Sequence, residues 1–184
     1  INKYIPILIK SLTNEFQIFE SNLQENLKRE KPMQWEDVMQ PLYKISEALR
    51  WSWGVVSHLN GVCNSSKIRE AYSRQQSEVV RFCNQIGQSY VLQEAMLELQ
   101  KNNNQGLNET QLRILHSELL SMHHRGVGLK DDLKKEFNQC SERLAELSTS
   151  FSNNVLDATQ SWSLLLTKRS EVDGLPERAL EALA

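Results

Sequence analysis

The sequence predicts an all-α protein: an elongated antiparallel bundle of about six helices, with a short extended segment near residues 160–167. Two observations carry this. Apolar residues recur at alternating steps of three and four in every substantial segment, which puts one stripe on each helix. The 184 residues also hold only 7 Gly and 4 Pro, too few turn residues for a many-stranded sandwich or barrel.

The first helix spans roughly 4–29. Leu8, Leu12, Phe16, Phe19, Leu23 and Leu27 form its stripe, and Pro6 sits where a first turn tolerates it. The second covers roughly 36–60, on Val38, Leu42, Ile45, Leu49, Trp53 and Val56, with Pro41 read as part of the first turn and Asn60-Gly61 as the stop. Ser65 or Ser66 caps a third helix carrying Ile68, Tyr72, Val79, Phe82 and Ile86, punctuated by Gly87. Leu92, Met96 and Leu99 mark a shorter fourth. After a polar loop at Lys101 to Gly106, Asn108 and Gln111 have the spacing of a capping box for a fifth helix on Leu112, Leu115, Leu119 and Met122. Gly126-Val127-Gly128 ends it.

Asp131 and Asp132 then favour the first turn of a sixth helix, the longest. Its seam, Leu133, Phe137, Cys140, Leu144, Leu147 and Phe151, is long enough to lie along a neighbour and to act as the backbone of the fold. Val155, Ala158, Trp162 and Leu165 would continue that seam, whereas Trp162 to Thr167 also reads as an apolar strand; the extended reading is favoured. Gly174-Leu175-Pro176 is a turn, and another helix begins at Glu177.

Composition bounds the function. Lys+Arg 21 against Asp+Glu 23 leaves a net charge of −2, with no excess to attract nucleic acid or anionic lipid. The longest uncharged run, Trp51 to Ser66, is too short and too polar for a membrane span. Cys63, Cys83 and Cys140 are odd in number and lack CxxC spacing, which points to reduced thiols. Both ends read as cuts, since the chain starts at Ile1 and stops in mid-helix.

Residue by residue, no catalytic, cofactor-binding or metal site is expected. HExxH is absent, and His116, His123 and His124 stand seven and eight apart, too far to share one zinc ion without another segment. His123 and His124, like His58, suit a helix C-terminus, where they face the last carbonyls. No nucleophile is marked by spacing, and Gly126-Val127-Gly128 lacks the third glycine of a phosphate loop. Lys28, Arg29, Glu30 and Lys31 read as a solvated helix end, and the sequons at Asn64 and Asn108 as helix caps. Trp35, Trp51, Trp53 and Trp162 read as core. Trp51 and Trp53 point some 200° apart, which requires cover on both sides of a central second helix.

Several strings are more specific than this. Ser57-His58-Leu59-Asn60, Arg69-Glu70-Ala71-Tyr72, Gly126-Val127-Gly128-Leu129, Arg143-Leu144-Ala145-Glu146-Leu147, and Phe151 to Thr159 with Trp162 and Thr167 resemble the N-terminal part of the thimet oligopeptidase family of zinc metallopeptidases, on its oligopeptidase A branch. Gly174-Leu175-Pro176-Glu177 and Ala179-Leu180 continue the resemblance. It implies that residues 1–184 are an N-terminal helical domain forming one wall of a channel that admits short peptides. It also implies a parent enzyme whose zinc and HExxH glutamate lie in another part, with this chain inactive alone. The implied partners are that catalytic domain and short peptides, and the implied place is the cytoplasm, with mitochondrion or chloroplast as the alternative. Lys168-Arg169 departs from the acidic residues usual there, so no contact carries over at that position. The alternative function is a self-standing helical interaction module that has lost the protease. Either way, Trp162, Leu164, Leu165 and Leu166 need a cover, expected from the chain's own helices or from self-association.

Overall fold

A computed structural model describes residues 1–29, 32–101 and 106–183. Glu30 and Lys31 of the mixed-charge helix end, and 102–105 of the polar loop, lie outside the described residues. Seven α-helices are present among the described residues, with no strand: α1 (Tyr4–Lys28), α2 (Trp35–Val62), α3 (Ser66–Gly87), α4 (Tyr90–Lys101), α5 (Glu109–His124), α6 (Asp131–Ser161) and α7 (Glu177–Leu183). The chain divides into two compact units, Ile1–Ser148 and Thr149–Ala184, and α6 runs through the boundary.

The first unit holds the core. α1 buries Ile5, Ile9, Leu12, Phe16, Phe19 and Leu23, the alternating four-three stripe of a helix packed on one side. Leu8 and Leu27 are partly buried at the edges of that stripe. α1 packs on α2, α3 and α4; α2 packs on α3 and α4; α4 packs on α5. Val38, Met39, Leu42, Leu92, Met96 and Leu115 fill the space between them.

Local chemistry explains most helix ends. Ser65 Oγ accepts from Ile68 N–H to start α3, and Ser89 Oγ accepts from Leu92 N–H at 3.1 Å to start α4. Asn108 and Gln111 bond reciprocally, at 2.9 and 3.0 Å, in the expected capping box. The sequon asparagines and serines are therefore occupied at helix starts, Asn64 through its contact with Arg69. Two features of α2 differ from expectation. The helix begins at Trp35, one residue before the expected start, and Pro41, its seventh residue, lies in its interior and not in the first turn. Asn60-Gly61 does not stop it either; the helix runs on to Val62, and Cys63 N–H still bonds Leu59 O at 2.9 Å.

α5 ends in a Schellman closure, with Val127 N–H donating to Met122 O at 3.2 Å and Gly126 N–H to His123 O at 3.0 Å. Gly126 adopts φ +78, and a Cβ there would fall 2.5 Å from Leu129 Cδ1. Gly126→Ala is therefore expected to cost about 1–2 kcal/mol in urea unfolding, the usual penalty for a left-handed non-glycine residue. Gly128→Ala, where nothing lies within 4 Å, should change stability by less than about 0.5 kcal/mol.

α6 is the longest helix, as expected, but it is not the backbone of the fold: it has no fully buried residue. Its N-terminal half meets α3 through polar groups in antiparallel register. Gln76 Nε2 donates to Ala145 O, Arg81 forks onto Glu142 with both contacts at 3.0 Å, and Asn84 and Gln88 share Asn138 Oδ1. The Arg81 guanidinium is held charged to higher pH by its bond to Glu142, with a smaller contribution from Glu78. Leu133, Leu144, Leu147, Phe151 and Val155 of the seam stay exposed. A seam needs a facing stripe, and the described residues present none to it.

In the second unit, α6 ends at Ser161, and residues 162–167 form neither helix nor paired strand, in agreement with the non-helical reading. Trp162, Leu164, Leu165 and Leu166 are exposed, Leu165 at 86%, so cover by the chain's own helices is not what occurs. Gly174 turns the chain at φ +90 into α7.

Candidate functional site

The four tryptophans separate into two kinds. Trp53 is partly buried and stacks on Tyr72 of α3 with ring centroids 4.6 Å apart, and Trp35 packs on the core. Trp51 is 65% exposed, with its Nε1 donating to Glu47 at 3.2 Å, and Trp162 is 71% exposed. The expectation that both faces of α2 are covered is thus corrected. α3 covers the Trp53 side, while Trp51, Val55 and Val62 line an open side one to two turns apart.

Separately, the α6 seam and residues 162–166 also expose apolar side chains. Isolated exposed leucines are ordinary, but contiguous apolar stripes on successive turns mark surfaces made for contact.

Within the first unit lies a groove of about 680 Å³, within the range of about 300–1,000 Å³ usual for ligand sites. It is lined from α2, α3, α4 and α5, and both α2 and α5 pack on α4. The floor is apolar, built from core side chains such as Leu42, Phe82 and Met122, and the lip carries Tyr43, Glu47 and Arg50 on α2 with Glu118 on α5 and Arg125 just after it. Burial, and secondarily the Glu118 charge, push the Tyr43 phenol above its ordinary value. Arg125 lies over Gly87, where a Cβ would meet its Cδ at 2.3 Å, so only glycine admits that arginine against α3.

Cys83 also lines the groove, and burial raises its thiol above the ordinary 9.0, against a smaller opposing effect of Arg125. An acid with a raised folded value keeps its proton longer when folded. Its contribution to stability is therefore full below about pH 9 and is lost as pH rises through the raised value. A thiol-specific alkylating reagent at pH 8 should label Cys63 and Cys140, both exposed, at least about tenfold faster than Cys83, since the thiolate is the nucleophile. Equal rates at all three, followed by mass spectrometry, would contradict the burial.

Among the described residues, no three of His, Cys, Asp and Glu gather closely enough to hold a metal ion. His123 and His124 are exposed at the end of α5, with ring centroids 5.9 Å apart, and His58 and His116 are exposed on α2 and α5. This donor set does not fit zinc. No helix of the described residues is long and apolar enough to cross a membrane. The groove and the open side of α2 escaped the sequence reading, because periodicity marks which face of a helix is apolar but not whether a neighbour reaches it.

The fold is an all-helical one with a buried core in its first unit, a polar α3–α6 contact and exposed apolar stripes. Residues 5–134 match the family model described as the neurolysin/thimet oligopeptidase N-terminal domain, and the chain belongs to that family. More narrowly, it is an N-terminal region of an oligopeptidase A-like protein. It is 32% identical over 179 residues, 97% of this chain and 26% of the relative, to oligopeptidase A of Escherichia coli K12. From Arabidopsis thaliana, a probable cytosolic oligopeptidase A is 33% identical over 169 residues, 91% of the chain and 24% of the relative. An organellar oligopeptidase A, chloroplastic/mitochondrial, of the same plant is also 33% identical over 169 residues, 91% of the chain and 21% of the relative. The chain spans about a quarter of the length of these curated relatives.

Proposed function

We propose that residues 1–184 are the channel-forming N-terminal part of a zinc metallo-oligopeptidase that hydrolyses short peptides in the cytoplasm, and that this part does not cleave peptides alone. The observation that carries the reading is the exposed apolar surface of the second unit, Phe151 at 70% and residues 162–166 among it, in a unit with no buried residue of its own among those described. Leaving such surface in water forgoes about 25 cal/mol per Å², so a covering partner gains that free energy on docking. The relatives are about four times as long as this chain, and the remainder of such a protein is the occupant that sequence continuity makes available.

In this reading the helices act by shape. They limit which substrates reach the reacting centre and hold the catalytic part in register, and binding and exclusion are the work of this chain's own side chains. Zinc, when bound to the catalytic part, would supply an activated water; the donors described here take no share in holding it.

The test is peptide hydrolysis. The 184-residue chain with added zinc is expected to show no cleavage of a quenched-fluorescence peptide of under about ten residues, and activity is expected once the downstream part carrying HExxH is supplied. Turnover by this chain alone would overturn the reading. So would a reading frame that terminates at Ala184, which leaves a self-standing interaction module.

A further inference from the structure

We propose that residues 131–148 of α6 are a strap that releases from α3 as one piece and swings on the α5–α6 turn while the core stays closed. The α3–α6 contact alone carries this, so its failure leaves the peptidase reading intact. The strap is docked by its polar side. In that stretch the half-buried side chains are Lys134, Phe137, Asn138, Ser141, Glu142 and Ala145, whereas Leu133, Leu144 and Leu147 are exposed, roughly a third of a turn round the helix. Beyond Phe137 and Ala145, apolar burial, the dominant force in folding, has little to hold here.

What holds the strap is the row of polar contacts along α3, and water replaces each of these at a modest net cost. Asn84 and Gln88, both buried and bonded to Asn138, become hydrated on release, and Arg81 keeps its 2.7 Å contact with Glu78 on its own helix. The Arg81–Glu142 fork is partly open to solvent, with side chains 55% and 22% exposed, so salt weakens it. The pivot lies at the start of α6. Phe137 packs on the turn, 3.7 Å from where a Gly126 Cβ would lie, and Lys134 sits 5.0 Å from the Tyr90 ring centroid. These anchor the first turns of the helix beside Gly128, where a Cβ would meet nothing within 4 Å, while the polar row runs on to Ala145. Hinges are such element-terminal positions. Release re-aims Leu144 and Leu147 without opening the core.

The experiment is amide exchange of the 184-residue chain in about 0.05 M and about 1 M NaCl, across which the Debye length falls to about 3 Å. It is read by mass spectrometry at residues 138–148 and at 12–23 of α1. A helix without tertiary packing frays in water, so the amides of the strap exchange from the released state. Exchange at 138–148 is expected to be at least about threefold faster at the higher salt, with that at 12–23 changed by less than about twofold. Arg81→Met should raise exchange at 138–148 at least about threefold at the lower salt and remove most of its salt dependence, and Arg81→Lys should restore part of that dependence. Glu142→Gln, on the strap itself, should act as Arg81→Met does. Salt acceleration of equal size at 12–23 would overturn the proposal. So would exchange at 138–148 that ignores salt, or an unchanged salt dependence in Arg81→Met and Glu142→Gln.

Discussion

Phe16→Ala is expected to destabilise the first unit by about 3–5 kcal/mol in urea unfolding, the range for deleting a fully buried phenylalanine from a core that cannot close around the gap. Phe16 is 0% exposed and lies tilted beside Phe19, with ring centroids 6.2 Å apart. It sits on α1, the helix that packs on α2, α3 and α4 at once, so the cavity opens where three partners meet. A loss of that size is at least about a fifth of the total stability of a typical domain, about 5–15 kcal/mol. The matched control is Ile18→Ala on the opposite face of the same helix. Ile18 is 54% exposed, and its truncation should stay within about 0.5 kcal/mol. Equal losses at the two positions would mean that α1 is not seated as described.

The second large effect depends on context. Leu144→Asp combined with Phe151→Asp should leave the 184-residue chain nearly as stable as before, because both side chains are exposed on α6 and a charge there stays hydrated. In a protein that also carries the downstream part, the same pair is expected to cost several kcal/mol and to abolish peptide hydrolysis. There the docked partner would bury two unpaired carboxylates, at about 3–5 kcal/mol for an uncompensated buried charge. A double variant that is destabilised in the short chain, or fully active in the long one, would show that this face of α6 is not a docking surface.

Much of the fold was legible in the sequence, because helix ends and buried stripes are local. Leu12, Phe16, Phe19 and Leu23 are buried as their spacing requires, Ser65 and Asn108 cap the helices they precede, and Gly126 closes α5. The end of α6 at Ser161 was not located by spacing, since Val155, Ala158, Trp162 and Leu165 would have let the seam continue. What failed was non-local. The α6 seam has the same period as the stripe of α1, yet one is buried and the other exposed, since period says that a face is apolar and not what meets it. The same holds for Trp51 against Trp53, two residues apart and opposite in fate. Pro41 was read into a first turn because α2 begins earlier than its apolar stripe, at Trp35. The groove is lined from α2, α3, α4 and α5 together, and no spacing within any one helix encodes that.

Amide hydrogen exchange over residues 140–167, measured for this chain alone and again with the downstream part of the protein added, tests the central claim most directly. Fast exchange is expected at 162–167, and weak protection along the C-terminal half of α6, in the isolated chain, since exposed segments open locally at little cost. A rise in protection of at least about a hundredfold is expected at both on addition, appearing together with peptide hydrolysis. Unchanged exchange in a mixture that nonetheless cleaves peptides would contradict the claim.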